Sequence, residues 1–166
     1  MSEPFDSMTM SDAAVTIRSL PRRCAETIGG PVGDDSWDRT VRSIGGSGRS
    51  ALANIGRANA ELVALGTVLA SLPMEKTPSV NLGPIDRKNY EPSATTEVGE
   101  VLALLKENAG RAARALEGRG HEDFDRSIMV DGKPMTAANY VRRAVSSSLL
   151  FLKHAQTEID AALDAH

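Results

Sequence analysis

The chain is poor in the residues from which stapled or metal-clustered folds are built. Of its 166 residues one is cysteine, three are histidine, and aromatics make up only 4%. A single thiol, Cys24, can close no internal disulfide and cannot assemble a thiolate metal site. It falls on an apolar helical face, which predicts a buried structural thiol, since a nucleophile would need a neighbour lowering its pKa. No apolar run approaches the roughly 20 residues needed to cross a bilayer. The start, MSEPFDSMTMSD, is acidic and carries no basic segment or apolar core of a signal peptide. A cytoplasmic protein with no membrane partner is therefore expected.

Clustered positive charge is also missing. Nineteen Lys and Arg are interspersed with 22 Asp and Glu, for a net charge of −3. Phosphate backbones demand a basic stripe that displaces counterions, so no nucleic-acid partner is expected. The glycine clusters GGPVG and GGSG lack the Lys-Ser/Thr of a phosphate-binding loop.

What is present is helical periodicity. Ile17, Leu20, Cys24 and Ile28 recur at three- and four-residue spacing after a cap expected at Ser11, with Pro21 predicting a kink or a late start. A turn of helix is expected around Trp37 to Ile44. The second long helix is expected from about Gly48, with Leu52, Ile55, Asn59, Leu62, Leu69 and Leu72 on one side and Pro73 at its end. The third places Val98, Val101, Leu102, Leu105, Ala109, Ala112 and Leu116 in one stripe, capped by Ser93, Thr95 or Thr96. The fourth follows Thr136 and carries Val141, Val145, Ser148, Leu152, Ala155, Ile159 and Ala162 on one face. Asp131-Gly132 inside VDGK signals a small hairpin. MEKTPSVNLGPIDRKNYEPS, between the second and third helices, reads as a long crossover. The expected architecture is all-α: a flexible segment over 1–10, then one four-helix bundle domain over 11–166.

The order of landmarks is more specific than any one motif. Trp37 precedes RSALANIGRANAEL, and EDFDRSIMVDGKPMTAANYVRRAV opens a last helix that continues to HAQTEI. This layout resembles the DinB-like family, which includes mycothiol-dependent maleylpyruvate isomerases and related thiol transferases. The resemblance implies a bundle with a long crossover between helices 2 and 3. It also implies a divalent metal held by three histidines, one from the second helix and two from the last. Histidines four apart share a helical face and can grip one ion, while a facing helix supplies the third ligand.

Laid on that pattern, this sequence offers Arg57 at the second-helix position, Leu150 or Phe151 at the first position of the last helix, and His154 or Ala155 at the paired positions. A guanidinium stays protonated and cannot ligate a cation. His121 falls in a loop and His166 is the last residue. The expectation is therefore a degenerate metal site and no metal cofactor. Arg57 and His154 would converge on the space, a pair suited to an anion. Phe151, Tyr140 and Arg126 complete the candidate pocket, although Arg126 could equally pair with a neighbouring Asp and pin its segment. Glu122, Asp123 and Asp125 read as a solvated turn, and Ser146 to Ser148 as a close-packing stretch too far from His154 for a triad.

Three functions follow as expectations. The first is a metal-independent protein binding a small molecule, an anion being suited to the Arg57–His154 pair. The second is a thiol-dependent S-transferase or isomerase using a mycothiol-like thiol, in keeping with Ala- and Arg-rich usage typical of a high-GC bacterium. The third is an interaction module whose cavity is filled by Leu150 and Phe151. A homodimer is expected throughout.

Overall fold

The computed structural model describes residues 8–30, 35–45, 48–81, 93 and 95–164. The proposed flexible segment over 1–10 and His166 therefore lie largely outside the described residues. Thr9, not Ser11, caps the first helix, α1 (Met10–Ile28), its hydroxyl accepting from the Asp12 amide at 3.0 Å. The helix continues through Pro21 with no late start, and Ile17, Leu20, Cys24 and Ile28 are buried as the spacing predicts. A short helix, α2 (Asp35–Arg42), holds Trp37. The indole N–H donates to the Ile28 carbonyl at 2.9 Å, fastening α2 to the end of α1. Gly30 adopts φ +40°, and a Cβ there would overlap the indole, so both backbone and space require glycine.

Ser50 caps α3 (Ala51–Ser71), accepting from the Ala53 amide at 3.0 Å. After α3 the chain forms a two-residue strand, β1 (Ser79–Val80). Helix α4 (Val98–Glu117) begins with Glu97 in place of the expected Ser or Thr cap. The Glu97 amide donates to Glu100 at 3.1 Å, closing a capping box. Arg42 of α2 donates to the carbonyls of Ser93, at 3.2 Å, and Thr96, tying down the entry to α4. One turn of helix, α5 (His121–Phe124), leads into β2 (Ser127–Val130) and β3 (Lys133–Thr136). The hairpin is the one Asp131-Gly132 announces: both residues take positive φ, 51° and 80°. The sheet is larger than expected, because β1 pairs parallel to β2 and completes the order β1-β2-β3. The last helix, α6 (Ala137–Asp164), runs to the end of the described chain.

The four long helices surround one apolar core. Helix α1 packs on α4 and α6, and α3 packs on the same two, so α1 and α3 are diagonal. Directions follow from side-chain pairs. Asn108 donates to Asn59 at 2.8 Å and Ala112 faces Gly66, so α3 and α4 run parallel. Arg42 anchors the start of α4 and Arg18 pairs with Glu117 at its end, which sets α1 antiparallel to α4. Phe151 meets Arg57, and the Arg142 guanidinium donates to the Met8 carbonyl at 2.9 Å. Hence α6 opposes α3 and accompanies α1. Parallel neighbours cannot be joined by a tight turn, which is why a long crossover separates α3 from α4.

Candidate functional site

Of the residues singled out in the sequence, Arg57 of α3 and Phe151 of α6 meet between the two helices, and Tyr140 and His154 lie on α6. A salt bridge at 3.3 Å joins Arg57 Nη2 to Glu61 Oε1, one turn on along α3; both side chains are 5% exposed. Their i, i+4 spacing puts them on one helical face, and that face is turned into the bundle. Phe151 rises from α6 beneath Arg57, whose Cζ lies 5.7 Å from the ring centroid. Arg49, just before α3, approaches the same ring at 5.6 Å. Two guanidinium groups thus share one aromatic ring, each drawn by its quadrupole. His154, half-buried one turn along α6, meets Phe151 edge-on with centroids 6.4 Å apart.

Tyr140 enters from the other end. It is 1% exposed, and its hydroxyl has no hydrogen-bond partner among the described residues. Burial raises its pKa first and foremost, and the nearby Glu61 charge raises it further. Burial likewise pushes the Glu61 carboxyl above its ordinary value, against the opposing pull of Arg57 and Arg143. The desolvation of Glu61 therefore outweighs its attraction to Arg57. The site is a buried polar strip: Arg57 and Glu61, closed by Phe151 and His154 on one side and Tyr140 on the other.

Arg126 lies outside this strip. Its guanidinium donates to the carbonyls of Leu72, Glu75 and Lys76, the last at 2.9 Å, and so holds the end of α3 to the start of β2. The pinning role is real, but its partners are carbonyls, not an aspartate. Leu150 is 49% exposed and fills no cavity, whereas Phe151 and Ala155 are buried. Glu158, one turn beyond His154, is buried against Gly45, where a Cβ would overlap its carboxylate. His121 is exposed at the start of α5, away from the bundle interior. Ser148 donates to the Ala144 carbonyl at 2.8 Å, a helix-internal bond.

Glu61 and Arg49 were missed in the sequence. Glu61 had a signal: an acid four residues after Arg57 in a helix otherwise apolar on that face. Arg49 had none, because it precedes the helix and reaches the ring through the chain path.

The donor set does not suit a divalent cation. At the strip stand a guanidinium that cannot ligate, one carboxylate already bound to it, a phenol and one imidazole. Among the described residues no group of three or more His, Cys, Asp or Glu could hold a metal. Nor is any described helix long and apolar enough to cross a membrane.

Two parallel and two antiparallel helix contacts, with a crossover between the second and third long helices, make this a four-helix bundle of the DinB-like fold. The solved structure of YfiT from Bacillus subtilis, described as a probable metal-dependent hydrolase with an unusual four-helix bundle topology, is similar to it. The TM-score is 0.77 at 16% identity, over 98% of this chain and 94% of that one. At that identity the likeness establishes the fold. No family profile and no curated protein matches the chain.

Proposed function

We propose that this chain is a metal-independent small-molecule-binding protein whose ligand sits in the strip between α3 and α6. The observation that carries this reading is the Tyr140 hydroxyl, buried without a hydrogen-bond partner among the described residues. Such a group costs on the order of 1–3 kcal/mol if left unmet, so it marks a place where water or a ligand oxygen belongs. A carboxylate-bearing ligand suits the surroundings. It can accept from Tyr140 and compete with Glu61 for Arg57, and Glu61 is already predisposed to take up a proton and give way. Phe151 offers an apolar wall for the rest of the molecule. The site has lost the family's metal chemistry on this reading, and Arg57 stands in for a ligand.

Thermal shifts against a panel of small carboxylates and thiols test the idea. A stabilising ligand is expected, unaffected by a chelator and lost in Tyr140→Phe, a change that leaves the packing intact. Loss of the same shift in Arg57→Ala would locate the anion. One tightly bound divalent ion per chain in untagged protein would overturn the reading, as would a panel without a single hit.

A further inference from the structure

A groove lies on the opposite side of the bundle. Helices α1 and α4 frame a groove of about 770 Å³, within the range of small-molecule pockets. Among the described residues four cations line it, Arg18, Arg22, Lys106 and Arg114, and no acid does. Two are already engaged at its edge: Arg18 with Glu117 at 2.9 Å, and Arg22 with Glu26 at 3.5 Å. Lys106 and Arg114 have no ion-pair partner among the described residues.

The groove is polarised along its length. Gly99, Leu102 and Ala103 line one end and carry no charge; Lys106 and Arg114 follow toward the helix C-terminus. Because α1 runs antiparallel, Arg18 and Arg22 stand beside the Arg114 half, and Ala25 lies toward the apolar half. At 1.5 Å per residue the apolar stretch from Gly99 to Lys106 spans about 10 Å. Glu97, the N-cap of α4, precedes the apolar end and disfavours a negative head there.

We infer that this groove binds a medium-chain carboxylate, its head between Lys106 and Arg114 and its unbranched tail along Leu102, Ala103 and Gly99. Charge complementarity selects the anion and the uncharged half selects the tail. Neither feature belongs to the strip between α3 and α6, so the two sites stand or fall separately.

Calorimetric titration of the full chain with monomeric sodium decanoate is the test. Saturable one-to-one binding is expected, weakening as salt rises, while acetate and decanol bind at least tenfold more weakly. Lys106→Ala/Arg114→Ala should weaken decanoate at least tenfold. Gly99→Glu should weaken it several-fold, because the space around Gly99 is open and an acid there enters the tail path without disturbing the fold. Tyr140→Phe, which disables the interior strip, should bind decanoate as the parent does. Absence of saturable binding, or equal binding of decanol, overturns the inference. So does binding that survives the double variant and is lost in Tyr140→Phe, a result that would place the ligand in the interior strip.

Discussion

The buried pair Arg57–Glu61 makes a sharp, asymmetric prediction. Two unit charges about 4 Å apart attract by about 4 kcal/mol at an effective dielectric near 20. That attraction competes with the cost of stripping water from both groups, each 5% exposed in its side chain. The raised pKa of Glu61 says which wins at the carboxylate: desolvation does. The folded state therefore prefers Glu61 protonated more than the unfolded chain does. Glu61→Gln mimics the protonated form and keeps a carbonyl oxygen to accept from Arg57, so it should change stability by no more than about 1 kcal/mol. Arg57→Met is different. It leaves a charged carboxylate buried with its main counter-ion gone, a loss on the order of 3–5 kcal/mol. Joining the two, Arg57→Met/Glu61→Gln, should recover most of that loss.

The pH dependence follows from the same shift. A carboxyl whose folded pKa is raised contributes stability that is full below its ordinary value near 4.5 and is lost as pH rises through the folded value. Removing Arg57 takes away a lowering influence, so the folded value climbs further and the window widens upward. Within that window the deficit of Arg57→Met should grow with pH by up to about 1.4 kcal/mol per unit. Urea unfolding followed by far-UV circular dichroism at pH 5 and pH 7 measures all four proteins. Equal, large losses in the two single variants would refute the reasoning, because they would mean the ion pair is strongly net stabilising. A pH-independent deficit in Arg57→Met would refute it as well.

Gly30→Ala forces a left-handed backbone on alanine and a methyl into the Trp37 indole, so a loss on the order of 2 kcal/mol is expected. Emission from Trp37, the only tryptophan, should shift as its bond to Ile28 breaks; unchanged stability and emission would contradict this. Arg126→Ala removes three donations to the end of α3 and should cost about 1 kcal/mol after allowance for solvent at the site. Hydrogen exchange should accelerate at the Met129 and Asp131 amides, which pair with Pro78 and Val80 of the β1 segment, and slow exchange there would contradict the anchoring role. Burial pushes the Cys24 thiol up to about 12, so it should resist a disulfide-exchange reagent at pH 8 and react only in denaturant. Rapid modification of the native protein would show that α1 opens.

The long helices were legible because each must bury one face, and a 3.6-residue period records which. Ile17, Leu20, Cys24 and Ile28 in α1, and Leu105, Ala109, Ala112 and Leu116 in α4, are buried where that period puts them. The Asp131-Gly132 turn was legible for a local reason, since few sequences accept two successive positive φ values. The parallel β1–β2 pairing was not, because two residues, Ser79 and Val80, carry no period and their partner lies about fifty positions on. The cap of α4 went to Glu97 over the preceding hydroxyl residues because Glu100 three positions later completes a box with it. Ser93 instead bonds Thr95 and Thr96, each at 3.0 Å.

The site was half legible, and the missing half changes its chemistry. The histidine pattern pointed to Arg57 and Phe151, whose ring lies beneath the guanidinium, while His154 meets that ring edge-on from the same helix. A template of ligand positions has no place for Glu61, since the second-helix position it aligns is one turn earlier. Yet an arginine cannot be buried on an apolar face without a counter-charge, and i+4 on the same helix is among the nearest places to supply one. With Glu61 present the strip is not a bare cation awaiting an anion. It is an ion pair beside a phenol with no hydrogen-bond partner among the described residues, and on the proposed reading a carboxylate ligand displaces Glu61 or binds as that acid takes up a proton. Binding should then be coupled to proton uptake, strengthening as pH falls toward the Glu61 value. A simple cationic pocket built on Arg57 alone would show no such proton uptake, because no acid would have to be displaced.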